Sequence, residues 1–313
     1  MRIAGIDCGT NSIRLLIADV VDGTLTDVVR EMRIVRLGEG VDATGEFSAA
    51  ALQRTLAACD EYADLIATHR AATVRFVATS ASRDVSNRAA FVDGVVARLG
   101  VEPQVISGET EALLSFTGAL RSLPESAWEA PALVVDIGGG STEFVLGDLT
   151  HGVQASRSVD IGCVRMTERR LRSDPPTQAE IQAATADIDE AIALAGQTVD
   201  LSAARSLIGL AGSVTTVSAL AHGLTQYDSE LIHGSVLSAE HVHRVAEELL
   251  SAPRSERAAS PVMHPGRVDV IGGGALVLDR IVAAVPEITE VIVSEHDILD
   301  GIAWAAAGEI DLD

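Results

Sequence analysis

The sequence predicts an α/β fold of two similar domains, each built around a glycine hairpin, with a cleft between them. Three observations carry that expectation. One motif occurs twice, strands alternate with helices, and 313 residues suit two domains. The first copy reads Ile3-Ala4-Gly5-Ile6-Asp7-Cys8-Gly9-Thr10-Asn11-Ser12, then Ile13-Arg14-Leu15-Leu16-Ile17. The second reads Leu133-Val134-Val135-Asp136-Ile137-Gly138-Gly139-Gly140-Ser141, then Thr142-Glu143-Phe144-Val145-Leu146. Both run apolar stretch, Asp-x-Gly, small or turn residues, Ser, second apolar stretch. That is the pattern of a strand, a tight turn and a strand.

The rest of the chain follows in order. Thr24 to Val35 reads as a further strand, and Ser48 can cap a helix to about His69 with Leu52, Leu56, Cys59, Ala63 and Ile66 on one face. Val74 to Ala78 is a short strand, and Thr79-Ser80-Ala81-Ser82-Arg83-Asp84 a polar turn. A helix from about Asn87 to Leu99 stops at Gly100, Pro103 to Ile106 is a strand, and Ser107-Gly108 opens a helix to about Arg121. This alternation indicates a mostly parallel, covered sheet. Leu123 to Pro131 is the best linker, which sets domains of 1–124 and 125–313.

Val153 to Val159 is predicted as a strand, and Thr177 with Glu180 as a capping box after the Asp174-Pro175-Pro176 break. Ser206 to Ser213 is a strand running into a glycine turn that opens a helix. Ser238 can cap a helix to Leu250. The stretch Val268 to Gly274 reads either as strand and turn or as the start of one helix, since Ile271, Ala275, Leu278, Val282 and Val285 keep helical spacing. Ile288 to Val293 is a strand. The closing helix, Asp297 to Gly308, is a candidate to pack back on the first domain.

The duplicated turn suggests chemistry. Its glycines leave backbone N–H groups uncovered, and such a nest accepts phosphate oxygens. Asp7 and Asp136, at strand ends, can hold a divalent cation against those oxygens. The helix opened by Gly212 and Ser213 is a third ready anion site. Arg83 follows a strand end, and a guanidinium suits phosphate bidentately. Arg14, Arg36 and Arg267 are weaker candidates of the same kind.

Composition sets limits. The formal net charge is −22, which argues against nucleic-acid or anionic-membrane partners. A polyanionic substrate therefore needs a local cationic pocket near the turns. No apolar run reaches the roughly 18 residues of a membrane helix. The N-terminus meets an acidic turn too early for a signal peptide. Cys8, Cys59 and Cys163 are scattered and odd in number, which fits the cytoplasm and neither disulfides nor a zinc site.

Several pieces together resemble the exopolyphosphatase / guanosine pentaphosphate phosphohydrolase family of the actin, Hsp70 and sugar-kinase superfamily. They are the two Asp-x-Gly loops, Arg33 to Gly38, Ala78 to Arg83, Ile106 to Ala112, Gly209 to Ser213, Gly266 to Ile271 and Val293 to Gly301. The resemblance covers essentially the whole chain, and the length is like the short, two-domain actinobacterial members. It implies two ribonuclease H-like (actin-like ATPase) domains, each with a mixed sheet. It also implies hydrolysis of a terminal phosphate from inorganic polyphosphate, from pppGpp or from both, with exopolyphosphatase activity the preferred reading.

On that resemblance Glu111 matches the catalytic glutamate that orients water, and Glu143 is the alternative base or a carboxylate on the metal side. Gly9, Thr10, Asn11, Ser12, Gly138, Gly139, Gly140 and Ser141 form the phosphate loops, with Arg83, Gly212, Ser213 and Arg267 as further substrate contacts. Asp7 and Asp136 would serve Mg²⁺, with Mn²⁺ as the alternative, and a homodimer is expected. Two competing readings are a kinase of the same superfamily and a non-catalytic alarmone-binding module. The first expects a longer chain with substrate insertions. The second expects Glu111 or the aspartates to be missing.

Overall fold

Residues 1–21, 24–83, 85–285 and 287–310 are described by the structure, a computed structural model. The chain groups into two units, Met1–Gly118 with Ile298–Asp313, and Ala119–Asp297. The break falls after Gly118 rather than at residue 124, and the closing helix counts with the first unit, the side on which it was a candidate to pack. No helix among the described residues is long and apolar enough to cross a membrane.

In the first unit, β1 (Arg2–Cys8), β2 (Ser12–Val21) and β3 (Thr24–Ile34) form an antiparallel meander. β4 (Thr73–Ala78) runs parallel to β1, and β5 (Gln104–Val105) parallel to β4, giving the order β3-β2-β1-β4-β5. The sheet is therefore mixed, not mostly parallel: β1, β2 and β3 pair antiparallel, and β4 and β5 join them in parallel. The helix Ala49–His69 is capped as its sequence suggests, Ala51 N–H donating to Ser48 Oγ at 3.1 Å. The polar turn after β4 is a short helix, Ser80–Arg83, and Asp84 lies outside the described residues.

Ile6, Leu15 and Phe76 of this sheet form one buried cluster with Tyr62 of the helix Ala49–His69 and Phe91 of the helix Arg88–Leu99, and Phe91 stands edge-on to both Phe47 and Phe76. Each such side chain contributes about 1.5–3 kcal/mol on leaving water. The closing helix, Ile298–Ala306, covers the other side, where Ile298, Ile302 and Ala305 pack with Val77, Ile106 and Leu114. A Cβ on Gly301 would stand 2.1 Å from Leu114 O, so only glycine admits this approach. Asp300, 2% exposed, is held by Arg30 Nη2 at 2.5 Å. This apolar seam is the physical reason that the final helix belongs with the first unit.

The second unit repeats the plan. β6 (Ala132–Ile137), β7 (Thr142–Asp148) and β8 (Gly152–Val159) are the antiparallel meander. β9 (Ser206–Leu210) lies parallel to β6. β11 (Glu290–Val293) lies parallel to β9, and β10 (Val236–Ser238) is an added antiparallel edge. The order 8-7-6-9-11 thus matches 3-2-1-4-5 of the first unit. The ambiguous stretch resolves as one helix, Ile271–Ala284, buried through Gly272, Gly273 and Gly274. The short helix Cys163–Arg169, which the sequence reading missed, follows β8.

Candidate active site

In the first unit, parallel pairing brings three strand ends side by side. Asp7 pairs with Val77, Cys8 with Ala78, and Ala78 with Val105. Whatever follows each strand is therefore gathered at one edge, where open α/β sheets bind ligands. After β1 comes the Gly9–Ser12 turn, after β4 Thr79 and Arg83, and after β5 the helix Gly108–Ser122 with Glu111 in its first turn.

The turn is closed by Gly9 N–H donating to Ser12 O at 2.9 Å. Its outer carbonyls are taken by the chain after β3. Asn11 O accepts from Val35 and Arg36 N–H at 3.1 and 2.9 Å, and Thr10 O accepts from Gly38 N–H at 2.8 Å. A carbonyl repels an anion, so committing it to the protein favours a phosphate at the turn. Asp7 is buried and faces Arg14 across the hairpin; Arg14 Nη2 donates to Asp7 Oδ2 at 2.7 Å.

Glu111 is 8% exposed. Arg83 Nη1 donates to its Oε2 at 2.7 Å and to Ile106 O at 3.0 Å, which ties the arginine to both elements. Burial pushes the Glu111 carboxyl above its ordinary pKa. Arg83 and a hydrogen bond to Thr79 pull it down, and the Asp7 charge adds to the rise. The result is a carboxylate that holds a proton more readily than a solvated one, as a general base requires.

In the second unit, Gly138 N–H donates to Ser141 O at 3.0 Å, repeating the first turn. Here the carbonyls meet the start of the helix Cys163–Arg169. Gly138 O accepts from Cys163 N–H at 3.0 Å, and Gly139 O from Val164 and Arg165 N–H at 2.9 and 3.1 Å. A Cβ on Gly162 would stand 2.5 Å from Gly139 O, so the turn can rest there only over glycine. Gly162 and Arg165 were passed over by the sequence reading. The signal available was a glycine next to a short apolar stretch with an arginine soon after, and it is weak. Arg165 is 9% exposed and bonds Asp160 at 2.9 Å.

The cross-strand partner distinguishes the two copies. Asp7 faces an arginine, whereas Asp136 faces Glu143. Glu143 is 1% exposed and accepts from Ser158 Oγ at 2.7 Å, so it is no solvated strand carboxylate. Like charges directly opposite repel each other, and a shared divalent cation would relieve that. Among the described residues no group of three or more His, Cys, Asp or Glu side chains could hold a metal by itself. This donor set suits Mg²⁺, which keeps waters and takes one or two carboxylates together with substrate phosphates.

Gly212 and Ser213 open the helix Ala211–Ala221 at the end of β9, beside the Gly138 turn. Ala211 is held at φ 67°, a left-handed conformation that costs about 1–2 kcal/mol for a residue other than glycine. Arg267 lies against Gly212: its Nη1 donates to Gly212 O at 3.1 Å and Thr216 Oγ1 at 3.2 Å, and a Cβ on Gly212 would strike the guanidinium. The Ser213 and Cys163 side chains both lie against Gly274, which brings this helix start close to the residues under the turn. The expected residues thus form one cluster within each unit.

Similarity to known proteins extends over nearly the whole chain. A profile of the Ppx/GppA phosphatase family matches residues 16–307. Exopolyphosphatase 2 of Mycobacterium tuberculosis is 52% identical over 319 residues, covering 98% of this chain and 99% of that protein. A guanosine-5'-triphosphate,3'-diphosphate pyrophosphatase of Vibrio atlanticus is 32% identical over 169 residues, 54% of this chain and 33% of that protein. The crystal structure of an exopolyphosphatase-like protein superposes with a TM-score of 0.95 at 46% identity, covering 99% of this chain and 100% of that one.

Proposed function

This chain belongs to the Ppx/GppA phosphatase family, and from that premise we propose that it is an exopolyphosphatase, releasing the terminal phosphate of inorganic polyphosphate. The observation that carries the reading is the buried Glu111, bonded to Arg83 and raised in pKa, at the strand edge that also bears the Gly9 turn. Similarity to the mycobacterial relative supports polyphosphate as the substrate.

In the proposed reaction Glu111 orients a water and takes its proton. The water oxygen bonds to the terminal phosphorus, and the anhydride P–O bond breaks with its electron pair leaving on the shortened chain. In the first unit the Gly9–Ser12 turn would offer backbone N–H groups to phosphate oxygens, with Arg83 adding positive potential; in the second the Gly138–Ser141 turn and the Gly212–Ser213 helix start would do the same, with Arg267 beside them. That positive potential is the local exception that a polyanion requires on a chain of net charge −22. Asp136 and Glu143 would hold Mg²⁺, which when bound screens phosphate charge. Asp7, already facing Arg14, is the weaker metal candidate and the better anchor for the first turn.

A second reading, hydrolysis of pppGpp to ppGpp, is favoured by the match to the Vibrio enzyme. Both substrates present a terminal phosphoryl on an anhydride chain. Phosphate release from polyphosphate and from pppGpp, each with and without Mg²⁺, separates the readings. Mg²⁺-dependent release that is faster from polyphosphate supports the first; release confined to pppGpp supports the second.

A further inference from the structure

The segment between β3 and the short helix Val41–Thr44 is bonded to two partners at once. Its N–H groups go to the Gly9–Ser12 turn. Val35 and Arg36 N–H donate to Asn11 O, and Gly38 N–H donates to Thr10 O. Its acceptors go to Arg54, on the helix Ala49–His69. Arg54 Nε donates to Val35 O at 2.7 Å, and its Nη2 donates to Glu39 Oε2 at 2.9 Å and to Arg36 O at 3.4 Å. The Val35–Arg36 peptide therefore carries both loads, its carbonyl on Arg54 and its N–H on Asn11 O. In a trans peptide these two groups point in opposite directions, so Arg54 and the turn stand on opposite sides of it.

The same peptide leads into strained backbone. Arg36 is held at φ 50°, a left-handed conformation uncommon for a residue other than glycine. Such a conformation persists only where its surroundings over-determine it, and ligand clamps are among the places that keep one. Here Arg36 N–H is fixed on Asn11 O, Arg36 O accepts from Glu39 N–H at 3.1 Å, and Arg54 holds the carbonyl just before it. The segment also lies tight on the turn, since a Cβ on Gly38 would strike Thr10 Cγ2.

We propose that Arg54 is a positioning residue for substrate binding, bracing the Val35–Arg36 peptide so that the carbonyls of the Gly9–Ser12 turn stay bonded within the protein and the turn keeps its shape for a substrate phosphate. This rests on the reading of that turn as a phosphate contact. An Asn11 carbonyl released from its two donors would be free to face the anion and repel it. A turn fixed before binding also loses less entropy on meeting an anion. Both effects fall on affinity. The chemical step is spared, because Arg83 and Glu111 hold each other and Arg83 is tied to Ile106 O.

The test measures KM and kcat on polyphosphate, per total protein, for the native chain, Arg54→Ala, Arg54→Lys and Gly9→Ala, with Tm recorded for each. Arg54→Ala is expected to raise KM about fivefold to tenfold with kcat within about twofold. Arg54→Lys keeps the charge but replaces a fork by a single point, so its KM should rise only about twofold to threefold. A merely structural loss shrinks the folded fraction, which lowers kcat and leaves KM alone. That pattern in Arg54→Ala overturns the proposal, and so does a native KM in the folded variant. If Arg54→Ala does not fold, Arg54→Lys decides in the same way. Gly9→Ala tests the reading beneath. Its added methyl meets Ser12 O at 3.6 Å and nothing closer, so the fold has room for it. A native KM in Gly9→Ala means that the turn takes no phosphate, and the reading fails together with the proposal. A raised KM there beside a native KM in Arg54→Ala leaves the reading standing and removes the proposal alone.

Discussion

Arg83 donates to the Glu111 carboxylate at 2.7 Å, and the two residues reach each other from the ends of neighbouring parallel strands. If Glu111 is the base, as proposed, this pair is what keeps it charged while buried. The arginine holds the carboxylate in one orientation and opposes the rise in pKa that burial causes. Its second bond, to Ile106 O, gives the Arg83 guanidinium another fixed partner.

The pH profile should record this balance. A general base acts only when ionised, and Glu111 is raised by burial first, with Arg83 opposing. The acid limb of kcat should therefore lie above the ordinary glutamate value of about 4.3. Arg83→Met removes a charge that favours ionisation, so its limb should move to higher pH. Asp7→Asn removes a repelling charge, so its limb should move lower. Profiles of residual kcat against pH check both directions, and shifts of the opposite sign would break the assignment.

Magnesium should separate the two duplicated aspartates. Asp136 faces Glu143, while Asp7 faces Arg14. Asp136→Asn and Glu143→Gln are each expected to raise the Mg²⁺ concentration for half-maximal activity by about tenfold or more. Asp7→Asn should move it less. Titration of activity against Mg²⁺ at saturating substrate decides this.

The second turn should depend on a glycine outside it. An added Cβ at Gly162 would sit 2.5 Å from Gly139 O, a backbone atom that cannot rotate away. Gly162→Ala is expected to cost about 1–3 kcal/mol of stability through overpacking. Thermal unfolding should show a lowered Tm, and KM for polyphosphate should rise because the turn is displaced.

Much of this was legible in the sequence, for reasons that differ by element. The hairpins were plain because Asp-x-Gly between β-branched runs allows little else. The helix starts at Ser48 and Thr177 were plain because their capping side chains do what their sequence positions suggest; Glu180 N–H donates to Thr177 Oγ1 at 3.3 Å. Val268–Gly274 was not, since three glycines score against a helix. Gly273 and Gly274 allow close approach to Cys163, Thr167 and Ser213, which only the fold reveals. The Arg83–Glu111 bond joins residues 28 apart in the chain, so each could be named but not paired. Gly162 escaped because its partner comes from a distant segment.

The most direct test of the whole account is phosphate release from polyphosphate, with Mg²⁺, by the native chain and by Glu111→Gln, alongside a direct measurement of polyphosphate binding. Glu111→Gln is expected to bind normally and to lose about a hundredfold or more in kcat. Near-native turnover in that variant would contradict the assignment of Glu111 as the base.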